Sequence, residues 1–450
     1  MRAFDVAEES YALLTDLYEL TMGAAYWSNQ ITAPATFELY FRRLPARRSF
    51  ILSAGLEQAL YYLTHLRFSK EQIHWLKKQE TFRNIDAGFF EFLSDFQFSG
   101  EVWGIPEGKP VFPLEPLIQI RAPIIEAQIV ETYLLAMFNM QCMIATKSAR
   151  IVRAAQGRSV SDFGTRRAHG PQAGLLAARA SYIGGCIGTS NVLAGYIGNI
   201  PTFGTAAHSF TMAFASELEA FFAFHRVFPE DTILLIDTYD VFEAARKVKH
   251  VPNVKAVRID SGDLLDVSSK IREILDEDDL HSVRIIASGD LNEYKIQELL
   301  ARGAPIDMFG VGTELVTSYD DPAMSGVYKL VQTTIQGEEV YPFKTSPGKL
   351  SYPGRKQIYR FLQDDYYSHD EICLSEQTPP TSGYPLLEKY MENGKQIKEL
   401  PDIQAIRKLA QQQMEKLSGP YHRISEVEDY PVILSQELKK AMEVEKGQRS

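Results

Sequence analysis

A histidine, His208, lies at the point where an apolar stretch of the chain ends in a Gly-Thr turn and a phenylalanine-rich run begins. The apolar stretch covers residues 196–203, and the following run, 210–224, has a helical pattern. This order predicts a titratable imidazole between a strand and a helix, where backbone amides can hold an anion. An isolated histidine in such a place is more often a core residue with satisfied hydrogen bonds. The interpretation therefore depends on the residues at the ends of the other apolar runs.

Polar residues of similar kinds follow six further apolar runs. The seven segments are 161–167, 188–191, 204–208, 237–240, 258–263, 288–290 and 310–313. Their glycine-rich turns would let backbone amides approach phosphate oxygens. Arg166, Arg167 and Arg258 could bind a phosphate or a carboxylate through two parallel hydrogen bonds. Together these segments favour a sugar phosphate or pyrophosphate as the ligand.

Acidic residues in the same segments suggest a second role. Asp260, Asp263 and Asp290 could hold Mg²⁺ or ribose hydroxyls. Each of these polar residues, taken alone, also suits a turn, and Asp237 and Asp240 could simply cap a helix. The argument for a site is their joint occurrence after successive apolar runs.

The elements that must position these residues alternate regularly. Apolar runs centred near residues 160, 186, 203, 234, 257, 286 and 308 are each followed by a helix-like segment. Strands that alternate with helices at this spacing predict a parallel sheet. Seven such units favour an irregular βα barrel over two nucleotide-binding halves, and no G-x-G-x-x-G follows an early strand. The fold class predicted is therefore α/β, with the catalytic barrel over residues 121–328.

The remaining residues predict two further parts of the chain. Residues 1–120 combine helical patterns with short strands, and we expect a sandwich-like α/β domain that strands within about 329–400 complete. Residues 401–450 predict a helical tail. The predicted helices are 11–29, 55–65, 70–79 and 126–155, and the predicted strands are 35–43, 100–103, 111–113, 116–120, 329–335, 339–344, 348–356 and 357–362.

Composition excludes several function classes. The chain has 450 residues, of which 45% are hydrophobic and 23% charged, and its net charge is −11. That charge disfavours nucleic acids and anionic membranes as partners. The first 20 residues lack the pattern of a secretory signal, and the weakly charged stretch 180–207 contains too many glycines and polar residues for a spanning helix. We interpret that stretch as buried strand and turn. Three scattered cysteines indicate a reducing compartment, so we expect a cytoplasmic protein.

The chain resembles the nicotinate phosphoribosyltransferase family along nearly its whole length. The resemblance rests on Leu14-Thr-Asp-Leu-Tyr-Glu-Leu-Thr-Met, Phe37-Glu-Leu-Tyr-Phe-Arg-Arg-Leu-Pro, Phe112-Pro-Leu-Glu-Pro-Leu, Asp162-Phe-Gly-Thr-Arg-Arg, Gly188-Thr-Ser-Asn, Gly204-Thr-Ala-Ala-His-Ser, Arg258-Ile-Asp-Ser-Gly-Asp-Leu and Gly310-Val-Gly-Thr. It implies the type II phosphoribosyltransferase fold, an irregular α/β barrel with an N-terminal sandwich-like domain. It also implies a homodimer with shared active sites, in which the Tyr18 helix reaches the pocket of the partner subunit.

The resemblance also implies roles for individual residues. It implies that ATP phosphorylates His208 and that Asp260 and Asp290 organise Mg²⁺ or the ribose. The residues implied to bind nicotinate are Tyr18, Phe163, Arg166, Ser190, Thr205 and Arg258. The residues implied to bind phosphoribosyl pyrophosphate are Ser288, Gly289, Gly310, Gly312 and Thr313. The implied activity forms nicotinate mononucleotide and pyrophosphate with coupled ATP hydrolysis, in NAD biosynthesis.

Three alternatives remain at this point. Relatives that use nicotinamide place Asp where this chain has Ser190, and an acid there would repel a carboxylate, so Ser190 favours nicotinate over nicotinamide. A phosphoribosyltransferase acting on nicotinamide or quinolinate is nevertheless the nearest alternative. A sugar-phosphate aldolase or isomerase would need a Schiff-base lysine or an acid/base glutamate at a strand end, and the seven segments contain neither. A non-catalytic binding protein on the same scaffold is the third alternative.

Overall fold

The structure is a computed structural model that describes residues 6–342 and 351–448. The predictions for residues 1–5, for the end of the strand 339–344 and for the start of the strand 348–356 lie outside the described residues. Up to residue 154 the elements are α1 (Leu17–Ser28), β1 (Pro34–Phe41), β2 (Ile51–Leu52), α2 (Leu56–His65), α3 (Lys70–Lys77), α4 (Ala87–Ser94), β3 (Glu101–Gly104), β4 (Pro110–Val111), β5 (Ile118–Pro123), α5 (Ile124–Ile129) and α6 (Glu131–Ala154).

The later elements comprise an alternating α/β region followed by strands and two helices. They are β6 (Ser159–Asp162), α7 (Pro171–Ile183), β7 (Gly188–Thr189), α8 (Val192–Gly198), α9 (His208–Met212), α10 (Glu217–Val227), β8 (Ile233–Leu235), α11 (Val241–Lys247), β9 (Ala256–Ile259), α12 (Leu264–Glu277), β10 (Arg284–Ala287), α13 (Glu293–Ala301), β11 (Met308–Val311), α14 (Thr313–Val316), β12 (Gly326–Ile335), β13 (Glu338–Val340), β14 (Lys356–Gln363), β15 (Tyr366–Leu374), β16 (Tyr384–Pro385), β17 (Glu388–Glu392), β18 (Lys395–Gln396), α15 (Ile403–Glu415), β19 (Val432–Leu434) and α16 (Gln436–Gln448).

A seven-stranded sheet joins early and late parts of the chain, in the order β13-β12-β1-β5-β3-β17-β18. Its inner strand β1 pairs antiparallel with β12 on one side and β5 on the other. All residues of β1 except the first are buried, so this strand is covered on both faces. The helices α1 to α6 and this sheet share one apolar core.

The second sheet carries the predicted alternation of strands and helices. Its six strands lie in the order β7-β6-β11-β10-β9-β8, and every pair is parallel. The α/β fold class is confirmed, with a parallel half-barrel. The prediction of a full strand near residue 203 was wrong, because only Thr202 forms a bridge, to Thr189. Within the described residues, β7 and β8 are not paired with each other, so the sheet stays open at this side.

A third sheet departs from the sequence-based expectation. It has the order β16-β14-β15-β19, whereas we expected 357–362 to complete the N-terminal domain. The tail is also not wholly helical, because β19 lies between α15 and α16 and pairs parallel with β15. The hydrophobic periodicity of the tail did not predict β19, because a strand of three residues is too short to show a detectable alternation of apolar and polar residues.

Two predicted helices are divided. The segment 11–29 breaks before α1, where Thr132 Oγ1 accepts a hydrogen bond from the Asp16 amide and donates one to the Asp16 carboxylate. The segment 126–155 is divided into α5 and α6, and at this break the Ile129 carbonyl accepts a hydrogen bond from the Thr15 hydroxyl. Side chains from two segments thus replace helical hydrogen bonds of the backbone at one shared point.

The stretch 180–207 is also different from its interpretation as buried strand and turn. It contains the end of α7, the two-residue strand β7 and the helix α8, which Asn191 caps by accepting a hydrogen bond from the Ala194 amide. Much of α8 is exposed. By length and composition one described segment, Ile124–Ala154, could cross a membrane, but 61% of its most apolar window is buried inside the protein.

Candidate active site

The carboxyl ends of the six parallel strands bring the polar segments to one edge of the sheet. Asp162 is the last residue of β6, Arg258 lies in β9, and Ser288 directly follows β10. In open and closed parallel sheets alike, ligands bind at this edge. The edge is therefore the expected location of a site, and the contacts among its side chains define it.

Arg258 is the centre of this site. Its guanidinium donates hydrogen bonds to Ser288 Oγ at 2.9 Å, to Thr205 Oγ1 at 2.8 Å and to Asp260 Oδ1 at 2.9 Å. The same guanidinium lies over the ring of Phe163, 5.6 Å from the ring centroid. Only 14% of the Arg258 side chain is exposed. The planar guanidinium thus links the segment of Arg258 and Asp260 to three segments that are distant in sequence, through hydrogen bonds to Thr205 and Ser288 and through the Phe163 ring.

Two glycines shape the space around these side chains. A Cβ atom on Gly310 would lie 2.4 Å from two ring carbons of Phe163, so only glycine lets that ring lie against β11. Gly289 has a φ of +101°, and a Cβ there would lie 2.3 Å from the Asp260 carbonyl oxygen. Glycine is required at both positions for the observed packing.

His208 begins the short helix α9 and faces the end of β8. Its Nδ1 lies 3.2 Å from Thr238 Oγ1, and its Nε2 lies 4.0 Å from Asp237 Oδ1. The imidazole is 42% exposed, whereas the Asp237 side chain is 4% exposed. Asp237 Oδ1 is buried and has no hydrogen-bond partner among the described residues. A buried carboxylate oxygen without a donor favours a neighbouring positive charge or N–H group.

The second carboxylate oxygen of Asp237 fixes the following loop. Asp237 Oδ2 accepts hydrogen bonds from the Asp260 amide at 2.8 Å and from the Ser261 hydroxyl at 2.7 Å. Sequence reasoning considered Asp237 and Asp240 as helix caps, and this is correct only for Asp240, whose Oδ1 caps α11. The missed signal was that Asp237, unlike Asp240, comes directly after the apolar run 233–236.

Two carboxylates at this edge have shifted pKa values of opposite sign. Burial opposes ionisation of Asp260, but the hydrogen bonds from Ser288 and Arg258, together with the charge of Arg258, outweigh it and lower its pKa. At Asp162 burial dominates over the hydrogen bonds from Thr189 and Gly164, and the pKa is raised. The hydrogen bonds around Asp260 therefore favour its anionic form, while Asp162 organises the turn after β6.

Three further predicted site residues lie in the segments at the ends of these strands. Ser190 donates its backbone amide to the Asp162 carbonyl at 2.8 Å, which places it beside the turn of Phe163. Thr313 opens α14, directly after Gly312. Asp290 is exposed at a φ of +46°.

The remaining two predicted residues lie outside the cluster around Arg258. Arg166 is exposed in the short 3-10 turn Thr165–Arg167, and within the described ranges it forms no ion pair. Tyr18 lies on α1, which packs against the core of the antiparallel sheet, and its exposed side chain lines a surface cavity with residues of β1 and β12.

Two carboxylates at this edge are of the kind that could contribute ligands to a magnesium ion arriving with a phosphorylated substrate. Among the described residues, no group of three or more histidine, cysteine, aspartate or glutamate side chains could hold a metal. Mg²⁺ commonly uses one or two protein carboxylates and takes its other ligands from phosphates and water. Asp260 and Asp290 provide carboxylates of this kind.

Three family models match consecutive parts of the chain. They are the nicotinate phosphoribosyltransferase N-terminal domain over residues 13–139, the nicotinate phosphoribosyltransferase family over 158–370 and the nicotinate phosphoribosyltransferase C-terminal domain over 380–442. The matched ranges include every predicted site residue.

Relatives and solved structures agree with these matches. The chain is 44% identical to nicotinate phosphoribosyltransferase pncB2 of Mycobacterium tuberculosis, over 95% of this chain and 92% of that protein. It is 37% identical to the nicotinate phosphoribosyltransferase of Bacillus subtilis, over 97% and 95% respectively. The crystal structure of human nicotinic acid phosphoribosyltransferase superposes with a TM-score of 0.83 at 28% identity, covering 96% of this chain and 99% of that one. Nicotinate-nucleotide pyrophosphorylase from Pyrococcus furiosus gives 0.77 at 26% identity, covering 92% and 98%.

Proposed function

The chain belongs to the nicotinate phosphoribosyltransferase family, and from this premise we propose that it forms nicotinate mononucleotide and pyrophosphate from nicotinate and phosphoribosyl pyrophosphate. The reaction serves NAD biosynthesis from nicotinate. The observation that carries the proposal is the cluster around Arg258, which joins the ends of β6, β9 and β10 to Thr205.

The cluster is suited to a displacement at the anomeric carbon. The pyridine nitrogen attacks that carbon while its bond to the pyrophosphate oxygen breaks, and positive charge develops on the ribose. The Phe163 ring aligns the pyridine by stacking, with Gly310 leaving room for it, and Arg258 provides a cation beside the ring. The anionic Asp260 carboxylate is positioned to stabilise the ribose or its metal ion.

We assign coupling to ATP to His208. A ring nitrogen attacks the γ-phosphorus of ATP, ADP leaves, and the imidazole proton is released to solvent. The new group adds about −1.5 to −2 charge near neutral pH, beside the loop that Arg258 holds. That charge can reorder the loop and tighten substrate binding, and attack of water on the phosphohistidine restores the free enzyme. Asp237 faces the imidazole and would balance a positive ring.

Magnesium would be held by Asp260 and Asp290 together with substrate phosphates, and its role would be to neutralise the leaving pyrophosphate. Ser288, Gly289 and the turn Gly312–Thr313 are the protein groups assigned to the phosphates of phosphoribosyl pyrophosphate. The exposed guanidinium of Arg166 is assigned to the nicotinate carboxylate or a phosphate.

We also propose a homodimer in which the partner completes each site. Tyr18 lies outside the Arg258 cluster, so it can contribute to catalysis only from another copy or after a large movement. The helix α8 exposes four large apolar side chains, with exposed fractions of 77%, 52%, 87% and 67% for Val192, Leu193, Tyr196 and Ile197. Such a patch is typical of an interface. The three free, buried cysteines favour a reducing compartment such as the cytoplasm.

The first test measures pyrophosphate release from phosphoribosyl pyrophosphate with nicotinate or nicotinamide, each with and without MgATP. The proposal expects turnover with nicotinate that rises with ATP. Turnover with nicotinamide alone would refute the substrate assignment and the argument from Ser190. In His208→Ala the slow ATP-independent activity should persist and stimulation by ATP should disappear, whereas unchanged coupling would exclude the phosphohistidine.

The shared site is tested by mixing inactive variants. Tyr18→Ala and His208→Ala dimers, each impaired alone, should recover about a quarter of the ATP-stimulated activity after subunit exchange, since half the dimers are mixed and carry one intact site. No recovery in a mixture shown to exchange would refute a contribution of Tyr18 across the interface.

A further inference from the structure

A lysine that sequence analysis did not single out lies buried behind the two loops assigned to phosphoribosyl pyrophosphate. Lys147 is on α6, and its side chain is completely buried. Its Nζ forms ion pairs with Glu293 Oε2 at 2.7 Å, with Asp320 Oδ1 at 2.8 Å and with Glu314 Oε2 at 3.8 Å. One ammonium group is therefore shared by three carboxylates from different elements.

Two of these carboxylates belong to the elements that follow the phosphate loops. Glu293 is the first residue of α13, three positions after Asp290, and Glu314 follows Thr313 in α14. The strands β10 and β11 that precede these helices are neighbours in the parallel sheet. A contact common to both helix N-termini sets the distance between the loops that lead into them.

Two arginines also pair with these carboxylates, so the positive and negative charges of the network are equal in number. Arg150, also on α6, pairs with Glu293 Oε1 at 3.0 Å, and the fully buried Arg48 pairs with Asp320 at 3.1 Å. Three cations thus meet the three carboxylates. A buried pair of this kind gives little net stability over apolar packing, and its useful property is a fixed geometry.

We propose that Lys147 is a positioning residue, which holds the loops after β10 and β11 at the separation that the diphosphate and ribose of phosphoribosyl pyrophosphate require. This inference rests on the proposed function, which assigns those loops to that substrate. It predicts that loss of the ammonium group weakens binding of the phosphorylated substrate more than binding of nicotinate, because Lys147 pairs with the helices that follow the phosphate loops and not with Phe163 or Arg258.

A second buried lysine gives a matched control. Lys356, at the start of β14, pairs with the buried Glu38 at 2.8 Å, in the part of the molecule built on the antiparallel sheet. Lys147→Met and Lys356→Met each remove one buried ammonium group and leave its carboxylate partners behind, three for Lys147 and one for Lys356. Both should lower the thermal midpoint, but only Lys147→Met should affect the phosphate loops.

The decisive measurements are the KM values for both substrates and the rise in thermal midpoint that magnesium pyrophosphate produces. We expect Lys147→Met to raise the KM for phosphoribosyl pyrophosphate about tenfold or more, since small misplacements of binding groups have effects of this size. The KM for nicotinate should change much less. Pyrophosphate should stabilise the wild type and Lys356→Met, but stabilise Lys147→Met much less at the same concentration. Lys147→Arg should restore part of the loss.

Two outcomes would overturn the inference. One is that Lys147→Met and Lys356→Met change both KM values alike, and the other is that Lys147→Met keeps the full pyrophosphate stabilisation. If Lys147→Met does not fold, Glu314→Gln gives the same test more mildly, because it neutralises a carboxylate that is 19% exposed. If the wild-type protein binds pyrophosphate but does not turn over nicotinate, the proposed function is refuted. The comparison of the thermal shifts that pyrophosphate produces in the wild type and in Lys147→Met would still test the role of Lys147.

Discussion

Replacement of Asp237 by asparagine should separate ATP coupling from the basal reaction. An asparagine oxygen in the place of Asp237 Oδ2 can still accept the hydrogen bonds from the Asp260 amide and the Ser261 hydroxyl. The amide group would then stand where Oδ1 faces His208, at 4.0 Å from Nε2. The substitution thus removes the negative charge beside the imidazole and keeps the loop hydrogen bonds.

The distance gives the size of the effect. Two unit charges 4.0 Å apart interact by about 4 kcal/mol at an effective dielectric constant of about 20. Because 42% of the imidazole is exposed, solvent screening reduces this upper limit. We expect a loss of about 1.4 to 2.7 kcal/mol in stabilisation of the positive ring during phosphoryl transfer, which corresponds to about 10- to 100-fold in rate.

The assay compares pyrophosphate release with and without MgATP, together with the rate of phosphohistidine formation. Asp237→Asn should lower phosphohistidine formation by that factor and leave the ATP-independent rate close to that of the wild type. Asp240→Asn is the matched control, since Asp240 is an exposed helix cap and asparagine caps equally well. Full ATP stimulation in Asp237→Asn would refute the role of the carboxylate. An equal fall in both rates would show that Asp237 acts through the loop of Asp260 instead.

Two further predictions concern the nicotinate site and pH-dependent stability. Gly310→Ala should displace the Phe163 ring and lower kcat/KM for nicotinate roughly tenfold. The control is Gly419→Ala, because no atom lies within 4 Å of the added Cβ. Unchanged kinetics in Gly310→Ala would exclude stacking of the pyridine on this ring. Burial, opposed by the hydrogen bond from Gln128, raises the pKa of Glu19 to about 7, so the folded chain keeps a proton that the unfolded chain releases. The free energy of unfolding should therefore fall as the pH rises from about 4.5 to about 7. Glu19→Gln should remove about 2 to 3 kcal/mol of this pH dependence, measured by urea unfolding across that range. An unchanged pH profile in this variant would contradict the raised pKa of Glu19.

The fold class and much of the site could be predicted because both depend on periodicity. Apolar runs followed by polar turns identify the ends of parallel strands, and these ends must meet at one edge of the sheet. The contacts of Arg258 with Asp260 and Ser288 follow from that geometry, whereas Thr205 reaches Arg258 from a segment in which only Thr202 forms a bridge. The resemblance to a family added the roles of these residues, which no contact in the structure tests.

The features that could not be predicted depend on contacts between segments without periodic signals. The break between α5 and α6 coincides with a hydrogen bond from Thr15, 114 residues away in sequence, and no local pattern marks it. The third sheet gains its last strand because the three residues of β19 pair with the edge of β15, a contact between distant segments. Asp237 was considered a helix cap because a carboxylate after an apolar run satisfies both interpretations.

Buried ions in this protein link segments that are far apart in the chain, and this explains why sequence patterns do not reveal them. Lys147 joins α6 to the helices after β10 and β11, while Lys356 joins β14 to β1. Arg179 in α7 joins the segments of Glu57 and Glu107. Each pair must repay the cost of removing two charges from water, so each gives geometry more than stability. Where such a link lies behind a ligand-binding loop, its loss should appear in binding and not only in the free energy of unfolding, and the contrast between Lys147 and Lys356 measures that difference directly.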